Sequence, residues 1–137
     1  MDINQHTIND EKANGTWFDF YEDEDVKFKI ASTESSAYKK AIAKLSRKIN
    51  PSKLRKNPTL MQQVTAAAMA DAILIDFKGV TDKGKALKNT LENRKKLMEI
   101  PAIRDFIGEQ STDLANFETG GEAEDTASLK SDAGVAS

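Results

Sequence analysis

Hydrophobic and polar residues alternate most cleanly near the start of the chain, where Val26, Phe28 and Ile30 share one face of an extended segment and Lys27 and Lys29 the other. Just upstream, residues 16–21 (Thr-Trp-Phe-Asp-Phe-Tyr) are dense in the aromatic side chains that suit a pleated surface. Asn14-Gly15, two residues that tolerate positive φ, mark the turn before them. The two runs predict an antiparallel hairpin joined by the four-acid loop of residues 22–25. A lone hairpin is marginal in water, so its apolar face must lie on helices.

From Ser32 or Thr33, either of which can cap a helix, the period changes to 3.6. Tyr38, Ala41, Ile42, Leu45 and Ile49 form one stripe of a helix that ends at Asn50-Pro51, because the residue before proline avoids the α region. Asn57-Pro58 opens the next helix as N-cap and first helical residue. Residues 60–77 are apolar on nearly every side, which predicts a buried central helix over 58–77, stopped near Gly79, with Met69 in its interior. Residues 81–84 (Thr-Asp-Lys-Gly) read as a turn, and Asn89 or Thr90 caps a short helix through Met98. Pro101 begins a last helix with a stripe of Ile103, Phe106, Ile107, Leu114 and Phe117. The expected fold is therefore mainly α (α+β): one small domain over residues 13–118, with four to five helices and an N-terminal antiparallel β-hairpin. Residues 1–12 read as a flexible arm. Residues 119–137, where Leu129 and Val135 are the only large apolar side chains, read as a disordered acidic tail.

The length, 137 residues, fits one domain. Net charge is only −2, but it is distributed unevenly. Residues 1–34 hold nine acids and three bases, residues 35–70 eight bases and no acid, and residues 118–137 five acids and Lys130 alone. The basic segment supplies the candidate partner-binding cations Lys39, Lys40, Lys44, Arg47, Lys48, Lys53, Arg55 and Lys56. Trp17 and Phe20 join them, because aromatics on both faces of one strand exceed what a single core face takes up. No apolar run approaches the ~20 residues of a membrane span, and the N-terminus lacks the layout of a signal peptide. The chain contains no cysteine, which excludes disulfides and thiolate chemistry and favours a reducing compartment such as the cytoplasm.

Enzymatic chemistry finds little support. His6, the one histidine, lies in the N-terminal arm, and general base catalysis needs a fixed geometry. No serine has an evident histidine partner, and Gly79 and Gly84 belong to no phosphate-cradling signature. The acids of residues 22–25 lack the alternating ligands, central glycine and distal glutamate of a calcium loop. No enzyme, no cofactor and no metal are expected. Nucleic acid is a poor fit as well, since only Tyr38 interleaves with the cations for stacking and the acidic ends repel phosphate. A module that binds protein partners suits asymmetric charge better.

The hairpin "GTWFDFYEDEDVKFKIA", the basic helix "AYKKAIAKLSRKI", the stretch "AILIDFKGVTDKGKALKNTLENRKKLMEIPAIRDFIGEQSTDLANF" and an acidic tail follow one another in an order with a known counterpart. Together, over roughly residues 15–117, they resemble the tail assembly chaperones of long-tailed, lambda-like, non-contractile bacteriophages. The most recognisable piece runs from Ile75 through Val80 to the Thr-Asp-Lys-Gly turn, although Phe77 stands where similar proteins often have tryptophan. The resemblance implies a non-enzymatic helper that binds the tape-measure protein and the major tail-tube protein in the host cytoplasm and is absent from the mature virion. It also implies a possible frameshifted longer form. Self-association is left open. The alternatives are a structural head-tail or tail component and a small nucleic-acid-binding regulator.

Overall fold

The computed structural model describes residues 2–119, so the tail expected from 119 onward lies, Thr119 apart, outside the described residues. Strand β1 (Thr16–Phe20) pairs antiparallel with β2 (Asp23–Ile30), as the alternation predicts. The connection is tighter than expected. Tyr21 adopts a left-handed conformation (φ 54°), the turn is Tyr21-Glu22 alone, and the acids from Asp23 onward extend β2 rather than forming a loop. The register slips between Asp19 and Phe20, which absorbs the extra β2 residues.

Helix α1 (Asp10–Ala13) precedes the hairpin; α2 (Ser36–Ser46), α3 (Pro51–Lys56) and α4 (Pro58–Ala72) follow it. Strand β3 (Leu74–Lys78) then adds antiparallel to β2, making a three-stranded sheet in the order β1-β2-β3. Strands β4 (Thr81–Asp82) and β5 (Lys85–Ala86) form a small hairpin over Lys83 and Gly84, both at positive φ as a type I′ turn requires. Helices α5 (Leu91–Met98) and α6 (Pro101–Thr112) and a 3-10 turn (Leu114–Phe117) complete the described fold. The expected α+β class holds, with the hairpin at the N-terminal end and helices laid on one side of the sheet.

The core lies between the inner sheet face and the helices. Phe28, Ile30, Leu74 and Phe77 from the sheet meet Ala70 and Ile73 at the end of α4, Leu97 and Met98 of α5, and Phe106 and Ile107 of α6. Phe20 closes one side, edge-on to Phe28 (5.6 Å between ring centroids) and Phe106 (5.2 Å). Such edge-to-face pairs each contribute roughly 0.5–1.5 kcal/mol beyond the area they bury.

Three expectations are corrected. The central helix does not reach residue 77: it ends at Ala72, and the run Leu74-Ile75-Asp76-Phe77 is a strand. A short apolar run fits either period, and here pairing with β2 decides, placing Phe77 opposite Phe28 and Asp76 opposite Lys29. Residues 2–12 carry a 3-10 turn (Ile3–His6) and part of α1, and they pair with the far end of the domain. The Asn9 amide donates to the Phe117 carbonyl (2.8 Å) and the Thr119 amide to the Thr7 carbonyl (3.0 Å). Leu114 leaves the stripe of the last helix because α6 breaks at Asp113, so it is exposed while Phe117 is fully buried.

The burial of α4 is also incomplete. Val64, Ala68, Ala70 and Ala72 face the interior, whereas Met61 is 42% exposed and Met69 only half-buried. Met69→Asp is accordingly expected to lower stability by no more than about 1–2 kcal/mol, because the carboxylate can turn towards water rather than being stranded. Thermal melting checks this, and a variant that fails to fold would contradict it.

Candidate partner-binding surface

The basic segment projects outward because its apolar residues are committed elsewhere. Ser35 caps α2, accepting from the Tyr38 amide (3.3 Å). Tyr38, Ala41, Ile42 and Leu45 then pack on Ala68 and Ala72 of α4. That docking turns Lys40 and Lys44 away from α4, and Arg47 and Lys48 follow, exposed, in the turn after the helix. Asn50 caps α3 by accepting from Ser52 (2.8 Å), and Asn57 both ends α3 and caps α4, accepting from Leu60 (3.1 Å). Lys53, Arg55 and Lys56 lie on this short helix, held beside α4.

All eight cations are exposed. Among the described residues only Lys39 meets a carboxylate, that of Glu34 at 3.4 Å. The acid-free sequence of residues 35–70 thus becomes a surface whose positive charge is almost uncompensated. Burial of the Tyr38 side chain pushes its phenol above its ordinary range.

Trp17 and Phe20 do not share one surface. Phe20 points inward to Phe28 and Phe106, whereas Trp17 sits on the outer face of the sheet, 36% exposed, with the Lys78 ammonium 4.4 Å from its ring centroid. Tyr21, exposed at the hairpin tip, packs tilted against Phe20 (4.9 Å between ring centroids) and edge-on to Phe106 (5.0 Å). On the same outer face Lys27 donates to Asp19, and this hydrogen bond holds the ammonium above the usual lysine range. The helices lie on the other side of the sheet, so Trp17 and the α2–α3 cations form separate patches. Neighbouring acids already engage the lysine on the strand, and the aromatic surplus is divided between core and sheet exterior.

A second feature is not anticipated by the sequence reading: an open groove of about 550 Å³ between the outer face of α4 and the α5–α6 corner, with Met61, Met69 and Met98 along it. It continues along α6 past Arg104 and Gly108 to Thr112. The signal for it is the all-round apolarity of α4. One helix cannot turn its whole circumference inward when α2, α5 and the sheet cover only part of it.

An almost uncompensated basic face and an open groove lined by methionines are the two surface features that stand out on this helix-backed sheet. A family model described as YdaY prophage protein matches residues 33–128, which runs from the start of the basic segment through α6 and covers well over half of the chain. The chain belongs to that family and is phage-derived. No curated protein and no solved structure matches it. Among the described residues, no helix is long and apolar enough to cross a membrane.

Proposed function

We propose that this phage protein is a non-enzymatic tail assembly chaperone, which holds the tape-measure protein soluble and engages the major tail-tube protein during tail assembly. The observation that carries the proposal is the uncompensated basic surface of α2 and α3. The order of segments shared with tail assembly chaperones and the membership of a prophage family support it. A tape measure is a long helical protein whose apolar stripes aggregate when uncovered. A factor that must cover it and later leave does better with steering charge and moderate contacts than with a large apolar interface. On this reading the protein works in the host cytoplasm and is lost before the virion matures.

Steering charge acts on encounter, and salt screens it beyond about 8–10 Å. Reversing Lys40, Lys44 and Lys48 to glutamate is expected to slow association with the tape-measure protein roughly tenfold or more at low salt and to flatten its salt dependence. The fold should be unchanged, since all three side chains are exposed. Association kinetics at two salt concentrations check this. Equal rates for variant and wild type would show that the basic face is only solvated surface. The same face has the charge that phosphates would need, so salt-dependent DNA binding by the wild type, lost in the triple variant, would favour a nucleic-acid regulator instead. Retention in purified virions would favour a structural tail component.

A further inference from the structure

We infer that the methionine groove between α4 and α6 is the docking site for a partner helix: an amphipathic segment of about four turns, apolar on one face, acidic at one end and basic at the other. The inference deepens the chaperone reading and rests on it for the identity of the natural partner. The groove is thioether-rich, with Met61 and Met69 contributing unbranched side chains that adapt to varied apolar surfaces, over the buried Met98. A chaperone that covers successive stripes of a long helical protein needs that tolerance. The length fits, since Thr59 to Met69 along α4 spans about 15 Å, and the continuation along α6 adds the rest. Gly108 leaves the α6 wall low, for a Cβ placed there would meet no atom within 4 Å. A helix laid in this channel can approach the α6 backbone closely.

Charge at the two ends selects the occupant. The Thr59 end follows directly on α3, with Lys56 three residues upstream and Arg55 beside it, both exposed and together outnumbering Glu99, the one carboxylate that lines the groove beside α4. At the far end Asp105 and Glu109 outnumber Arg104 along the α6 wall. An acidic end of the incoming helix therefore lies over α3 and a basic end over α6. This arrangement joins the two features described above: the cations of α3 guide the segment, and the groove holds it.

The test uses the full chain and two probes, a helical fragment of the tape-measure protein and a synthetic 14-residue leucine-faced helix with glutamates at one end and lysines at the other. The groove variants are Gly108→Gln, which fills the channel, and Met61→Glu, which opposes the acidic end. Neither side chain is part of the core, so both variants should melt like the wild type. Each is expected to weaken binding of both probes about tenfold or more, chiefly through faster dissociation, and a peptide with its charged ends exchanged should bind the wild type less well. Unchanged peptide binding in both variants would overturn the inference even if the tape-measure fragment is held normally, which would leave the chaperone proposal standing. Peptide binding that the variants abolish, with no capture of the tape-measure fragment, would keep the groove and remove the chaperone reading. A wild-type dimer that dissociates in the variants would overturn it too, by making the groove an interface between copies of this chain.

Discussion

Phe28→Ala is expected to remove about 3–5 kcal/mol of folding stability, which is a large part of the roughly 5–15 kcal/mol available to a domain. Phe28 is fully buried on the central strand, edge-on to Phe20, against Phe106, and opposite Phe18 on one neighbouring strand and Phe77 on the other. Truncation leaves a cavity at the point where sheet and α6 meet, and rigid neighbours on paired strands cannot collapse into it. Thermal denaturation followed by circular dichroism should show a loss of about 10–20 °C. Phe28→Leu, which keeps most of the volume, should cost far less. An alanine variant within a few degrees of wild type would mean that the sheet does not pack on α6 as described.

The second large effect is expected at Gly79, which sits just past β3 at φ 78°. A Cβ there would lie 1.8 Å from the Asp25 carbonyl oxygen, a backbone atom of β2 that cannot rotate away. Gly84 makes the control: its φ is similar, 83°, but a Cβ there meets nothing within 4 Å. Gly84→Ala should therefore cost only the left-handed conformation, about 1–2 kcal/mol. Gly79→Ala carries that cost and must also push β2 and β3 apart at Asp25, for a total of about 3–4 kcal/mol. Urea denaturation of the two variants gives the comparison, and equal losses would contradict the close approach of Gly79 to β2.

Much of this fold is legible in the sequence where a local signal has one meaning. Alternation at Val26, Phe28 and Ile30 gives the strand and its inward face, and Asn57-Pro58, Thr90 and Pro101 stand at the helix starts. The signals fail where tertiary pairing decides. Residues 74–78 read as helix because their apolar run has no distinguishing period, and only an available β2 edge makes them a strand. The N-terminal residues are polar, and what orders them is backbone pairing with residues 117–119, more than a hundred positions away. The cations of the candidate surface are readable from charge alone, but whether they are paired is not, since that depends on which acids the fold brings near. Trp17 and Phe20 look alike in sequence and separate only through the pleat, which sends one outward and the other into the core. The methionine groove follows from what α2, α5 and the sheet leave uncovered, which only the assembled structure displays.

The central claim is that this chain keeps an aggregation-prone helical phage protein soluble. Co-expression of the tape-measure protein of the same phage with and without the chain, followed by the soluble yield of the tape measure, tests it most directly. The tape measure is expected to be largely insoluble alone and to become soluble, and to co-purify, when the wild-type chain is present. Equal soluble yield in the two cases would contradict it.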